Sequence, residues 1–179
     1  MKYLVFDTEC TGLRWFDKHK PFIISFCLYD TEVKTVDIKI IQWPVLPSRD
    51  IIYNLDNPTF QEFLTYYTDE SIEKIAANIK YDVHMLEESI KIFPKGKWHD
   101  VLISAWCCNN LETSYGLKHL ANKYVKINMM DEEVLQARTI KLRKQASKLF
   151  DISGAVAQDY WLINFYDPKD ESLRKYAKL

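Results

Sequence analysis

At 179 residues, 47% hydrophobic and 14% aromatic, the chain is sized for one domain with a substantial core, which argues against a disordered or fibrous protein. Its 24 Lys plus Arg against 25 Asp plus Glu give a formal charge of -1. That balance argues against a long basic track along a polynucleotide, so a nucleic acid bound here is gripped over a few nucleotides at an end.

The first nine residues, Met-Lys-Tyr-Leu-Val-Phe-Asp-Thr-Glu, are apolar over 3–6 and end in two acids one position apart. Side chains at i and i+2 of a strand share a face, so Asp7 and Glu9 point the same way from the end of a buried strand. Two carboxylates that close repel each other and favour a cation between them. A strand running out into a polar loop is the plainer reading of the same residues. Gly12 then supplies a turn with Leu13 exposed at its tip. Residues 22–29 and 33–41 read as two more strands, the three forming an antiparallel meander, and 42–57 as a connection.

Asn57 and Pro58 open a helix over 58–67. A short strand at 74–77 leads through Asn78 into a helix over 81–93, which Pro94 and Gly96 end. Asp100 caps a third helix over 101–108 and Ser114 a fourth over 115–124. The charged stretch 131–149 is helical by composition, with Leu135, Ile140, Leu142 and Leu149 as contacts. Its Lys141, Arg143, Lys144 and Lys148 form either a solvated face or a phosphate contact. Another helix covers 155–165. Asp167 as cap, Pro168 in the first turn and Asp170 three past the cap start the last helix, which holds Tyr176. Strands first, then helices around a further strand, describe an α/β fold with a mixed sheet flanked by helices, a single domain over 1–179.

Cys10, Cys27, Cys107 and Cys108 follow no C-x-x-C or Cys/His metal spacing and read as free thiols in a reducing compartment. With no signal peptide and no run of ~18 apolar residues, the expectation is a cytoplasmic protein that does not engage a membrane.

Hydrolysing a phosphodiester requires charge neutralised on the phosphate, a deprotonated water in line and help for the departing oxygen. Two divalent ions held by clustered carboxylates supply all three. Asp7 and Glu9 are the first candidates. Asp82, in the first turn of its helix, is the next, and serves equally well as an acid facing the helix dipole. Asn78, at the strand end, is placed to fix that junction.

Four blocks, in order, carry a resemblance: Phe6-Asp-Thr-Glu-Cys-Thr-Gly-Leu13, Ala77-Asn-Ile-Lys-Tyr-Asp82, His99-Asp-Val-Leu-Ile-Ser-Ala-Trp106 and Tyr115-Gly-Leu-Lys-His-Leu-Ala-Asn-Lys-Tyr124. Together they resemble the 3′-5′ exonuclease (proofreading) domain of family A DNA polymerases, within the DEDD (DnaQ-like) exonuclease superfamily, over nearly the whole chain. The resemblance implies a ribonuclease H-like sheet, three antiparallel strands followed by parallel additions. It also implies metal ligation by Asp7, Glu9 and Asp82 and two divalent cations, Mg2+ or Mn2+. Substrate contacts fall to Thr8, Leu13 and Asn78. Leu13 would be a wedge against the terminal bases, although a single exposed leucine otherwise needs no account. Asp100 remains a structural cap.

The family's last motif, Tyr-x-x-x-Asp, places both residues on one helix face. Tyr166 and Asp170 have the spacing, but the expected helix starts between them at Pro168. Tyr176 lies inside the helix, and Leu-Arg-Lys-Tyr-Ala-Lys-Leu resembles the family's text before that Asp, whose place is position 180. The resemblance therefore makes Tyr176 the residue that holds the attacking water. It leaves the chain short of a fourth carboxylate, with activity lowered accordingly, and Tyr166 with Asp170 as the alternative pair. A branch with a histidine base needs H-x-x-x-x-D late in the chain, which His19, His84, His99 and His119 do not supply.

The implied function is a metal-dependent 3′-5′ exonuclease that releases nucleoside monophosphates from the 3′ end of single-stranded or frayed DNA. A polymerase domain, fused or separate, is the implied partner, in a bacterial or phage-infected cell. The alternatives are an exonuclease-like binder of single strands that does not cut, an RNA exonuclease of the ribonuclease D type, and an endonuclease of the ribonuclease H kind.

Overall fold

The computed structural model describes residues 1–127, 131–146 and 159–178. Within them β1 (Lys2–Cys10), β2 (Pro21–Asp30), β3 (Lys39–Gln42), β4 (Glu73–Ala76) and β5 (Trp98–Asp100) form one sheet in the order β3-β2-β1-β4-β5. β1 pairs antiparallel with β2, and β2 with β3; β4 runs parallel to β1, and β5 parallel to β4. This is the expected mixed sheet, a meander extended by parallel strands. Seven α-helices are described: α1 (Pro58–Tyr67), α2 (Ile79–Ile90), α3 (Val101–Cys108), α4 (Leu117–Leu120), α5 (Asp131–Ala146), α6 (Trp161–Tyr166) and α7 (Glu171–Tyr176).

The two faces of β1 differ by strict alternation. Leu4, Phe6 and Thr8 are buried, while Val5 and Asp7 between them are open. Under the buried face, Phe6 meets Phe63 and Tyr67 of α1 edge-on, at ring separations of 5.9 and 5.5 Å. Phe26 of β2 approaches the same Phe63 at 5.3 Å. Burying each such ring contributes about 2 kcal/mol, and each edge-on pair about 1 kcal/mol more. Phe60, Phe63 and Tyr67 form one face because they recur at spacings of three and four, and Asn57 starts that helix by accepting from Thr59 N and Phe60 N. β2 is buried at every position from Pro21 to Cys27, the pattern of a strand covered on both sides. Trp161, Leu162, Ile163 and Leu173 of α6 and α7 belong to the same core.

Polar contacts tie those last helices to the sheet. Asn164 Nδ2 donates to Trp43 O (2.8 Å), Gln42 Nε2 to Asn164 Oδ1 (2.7 Å) and Arg174 Nε to Gln42 Oε1 (3.0 Å).

Several boundaries move. β1 keeps the two acids within its pairing, as expected, with Asp7, Thr8 and Glu9 opposite Ser25, Ile24 and Ile23, and runs one residue further to Cys10. The strand expected over 33–41 is regular only from Lys39, and three-residue β5 carried too little pattern to be noticed. The expected fourth helix is a single α-turn passing into a π-helical turn, Ala121–Val125. The last helix is capped by Asp170, not Asp167: Asp170 accepts from Ser172 N and Leu173 N, whereas Asp167 closes the end of α6 and a turn through Lys169 N. In α5, Leu135 is buried but Ile140, an expected contact, is exposed. Lys148 and Leu149 lie outside the described residues, as does the first part of the helix expected over 155–165. All four cysteines are free. Among the described residues no helix is long and apolar enough to cross a membrane.

Candidate active site

The parallel pairing of β4 with β1 builds the site. Ile75 sits opposite Val5, so the chain leaving Ala76 emerges beside Asp7 and heads the same way. It must turn sharply into α2, and Asn78 does so in the left-handed region, φ 59°, which asparagine tolerates better than most residues. The free N–H groups at the start of α2 are met by one carboxylate. Asp100 accepts from Asn78 N (3.2 Å) and Ile79 N (3.1 Å), and also from Leu102 N (2.8 Å) at the start of α3. One negative charge thereby seats two helix N-termini, which is the structural role expected for Asp100.

Seated in this way, α2 returns Asp82 to β1. Asp82 Oδ1 accepts from Thr8 N (3.1 Å) and from Thr8 Oγ1 (2.5 Å), across 74 positions of sequence. Asp82 is 2% exposed. Burial, followed by the charge of Asp7, raises its carboxyl well above the usual range, with the Thr8 hydrogen bonds opposing. Glu9 is likewise raised by burial and then by Asp7, Asp82 and Glu132. Asp7 opens to the cleft, yet the surrounding walls strip enough water from it to push it up to about 6, with the Thr8 backbone N–H opposing. Burial thus raises all three carboxyls, and the charge of Asp7 adds to it at Glu9 and Asp82, a condition that a divalent cation relieves.

An open cleft of about 280 Å³ lies above Asp7 and Glu9. Tyr176 lines it together with Val5, Phe26, Val101 and Leu117. Burial first, then Glu9, Tyr160, Glu132 and Asp7, raise the Tyr176 hydroxyl, so it stays a neutral donor beside the acids. Its ring meets Tyr160 edge-on at 5.3 Å. Leu13, 63% exposed, rides on a braced turn. Tyr81 Oη donates to Gly12 O (2.9 Å), Thr11 N donates to Lys20 O (2.9 Å), and a side chain at Gly12 would run into the His19 ring.

Other candidates fall elsewhere. Tyr166 ends α6 while Asp170 caps α7 and pairs with Arg138, so the two do not share a helix, and neither lines the cleft. Thr8 is 7% exposed with its hydroxyl turned to Asp82, and Asn78 spends its backbone on the turn. Sequence reasoning missed Tyr160 and Glu132. Glu132, near the start of α5, receives a bond from Gln136 Nε2 (3.0 Å) and lies 3.7 Å from Lys118 Nζ. The apolar flank of Tyr160 in Asp-Tyr-Trp-Leu-Ile was its one available signal, whereas Glu132 is hidden in a run of charges.

The donor set, all carboxylate oxygen, suits a hard cation such as Mg2+ or Mn2+ and not a thiophilic metal. Among the described residues no three His, Cys, Asp or Glu side chains already form a chelating group.

A family model described as 3′-5′ exonuclease matches residues 1–150. DNA polymerase DpoZ of Salmonella phage PMBT28 is 26% identical over 178 residues, which cover 97% of this chain and 23% of that protein. The chain thus spans about a quarter of that relative's length. Among solved structures, Brucella melitensis NrnC bound to pGG superposes with a TM-score of 0.61 at 15% identity, over 98% of this chain and 64% of that one. The same protein with bound Mg2+ gives 0.58 at 16% over the same shares. Escherichia coli RNase D, an exoribonuclease, gives 0.51 at 17% over 99% of this chain and 45% of that one. These likenesses show that the chain shares the fold of those proteins.

Proposed function

We propose a function from one premise: the chain belongs to the 3′-5′ exonuclease family whose model matches residues 1–150. It is a metal-dependent phosphodiesterase that removes nucleoside monophosphates stepwise from the 3′ end of a single-stranded or frayed nucleic acid. DNA is the substrate, since the family is that of polymerase exonuclease domains and the curated relative is a phage DNA polymerase. Working beside a polymerase, fused or separate, such an activity proofreads.

The observation that carries this reading is the pair of bonds from Thr8 to Asp82, which brings a distant carboxylate to the strand bearing Asp7 and Glu9. Asp7, Glu9 and Asp82 would hold two divalent cations, which when bound neutralise phosphate charge, activate water and assist the leaving oxygen. Tyr176, kept protonated by its buried and acidic surroundings, donates toward the water and fixes its line of approach. The apolar walls, Val5, Val101 and Leu117 among them, accept the terminal nucleotide and limit bulk water. Leu13 projects where an apolar wedge can separate the last bases.

The test uses 5′-labelled DNA and RNA oligonucleotides with Mg2+ or Mn2+. Stepwise shortening from the 3′ end, lost with chelator and in Asp7→Ala, is expected, faster on DNA. Faster shortening of RNA moves the assignment to a ribonuclease D-like role, and protection without shortening makes the chain a binder. Cutting of a circular substrate points to an endonuclease.

A further inference from the structure

Thr8 stands between the two acids of β1 but does not face the cleft with them. Alternation along the strand turns its side chain to the opposite face, where it is buried beside α2. Its hydroxyl is 2.5 Å from Asp82 Oδ1, and its N–H reaches the same oxygen at 3.1 Å. Among the described residues, the hydroxyl also lies 3.5 Å from Cys10 Sγ. A nucleic acid in the cleft has no access to a hydroxyl so placed, which leaves the contact with Asp82 as its work.

We propose that Thr8 is a positioning residue for the cation site: by occupying Asp82 Oδ1 with two donors, it fixes the carboxylate's rotation and leaves Oδ2 as the oxygen presented to a divalent ion. The inference rests on the exonuclease reading above. An aspartate has two equivalent oxygens and a soft terminal torsion, so a buried one needs outside donors to choose an orientation. Losing a group that orients a metal ligand typically costs about 10- to 100-fold in metal affinity. Thr8 supplies both donors from one residue, on a strand whose pairing to β2 is continuous from Lys2 to Glu9. Asp100 serves the same end from the other side, seating the helix on which Asp82 rides.

Thr8→Val keeps the shape and the backbone donor but removes the hydroxyl, Thr8→Ala removes it without a new methyl, and Thr8→Ser keeps it. Mn2+ affinity of the metal-free protein is read by electron paramagnetic resonance, alongside near-ultraviolet circular dichroism to confirm folding. Thr8→Val and Thr8→Ala are expected to weaken Mn2+ binding about 10- to 100-fold with an unchanged fold, and Thr8→Ser to restore it to within about threefold. On a labelled oligonucleotide, raising Mn2+ should recover turnover in Thr8→Val while KM for the strand stays put. Wild-type affinity in both hydroxyl-free variants, or equal loss in Thr8→Ser, overturns the positioning role alone. A wild-type protein that binds no Mn2+ and shortens no strand overturns the exonuclease reading, and this inference with it.

Discussion

The two sides of the cleft are held in place by different means. On the sheet side, Asp7 and Glu9 are paired with β2, Asp82 is fastened to their strand by Thr8, and the start of its helix is seated on Asp100 at the end of β5. On the helical side, Tyr176 ends a six-residue helix anchored through side chains, Asp170 on Arg138 and Arg174 on Gln42, while Asn164 of the preceding helix holds the Trp43 carbonyl. The contrast teaches a division of labour. A backbone ladder holds Asp7 and Glu9, while side-chain contacts that can adjust carry Tyr176.

Substitutions on the two sides should therefore fail differently, and the largest effect belongs to the sheet side. Asp82→Asn removes one of the three carboxylates, and exonuclease rate with Mg2+ is expected to fall on the order of 10³-fold, with Mn2+ binding lost in parallel. Intact Mn2+ binding in that variant would break the comparison. Tyr176→Phe, on the helical side, should lower turnover by ~10- to 100-fold, the worth of one hydrogen bond to a charged partner. Mn2+ affinity, measured on the same sample, should not move.

Asp170→Ala removes both the α7 cap and the partner of Arg138. Urea unfolding should show a loss of about 2 kcal/mol, and oligonucleotide turnover should drop with unaltered metal affinity, because only the Tyr176 side is loosened. The smallest effect is a gain. The Asp7 carboxyl lies at about 6 when folded against an ordinary 3.8, so the folded chain binds the extra proton between those values and loses stability as pH rises through them. Asp7→Asn escapes that loss. Without metal, it should be more stable than wild type by about 1 kcal/mol at pH 7.5, a figure reduced because Asp7 opens to solvent, and equal to it below about pH 4. A variant less stable than wild type at pH 7.5 would show that Asp7 is not strained by its surroundings.

Much of this was legible in the chain. Alternation in residues 3–9 and the three-and-four spacing of Phe60, Phe63 and Tyr67 report their own geometry, so β1 and α1 were readable. Asp100 was recognisable as a cap because caps are local. The cap of α7 was misplaced by three residues, since Asp167 and Asp170 both suit the role and only the turn through Lys169 and Ser172 decides between them. The strand β5 was too short to show a period, and its place is set by pairing with β4.

The sequence alone sufficed to put Asp7 and Glu9 on one face of one strand, because neighbours in sequence share a backbone whose period is fixed by covalent geometry. Only the tertiary structure decided that Thr8 faces away from the cleft onto Asp82, that Tyr160 and Glu132 border the acids, and that Tyr166 and Asp170 do not share a helix. Those relations join side chains far apart along the chain. They arise from how the parallel strand delivers α2 and how α5 to α7 pack back, which no local period encodes.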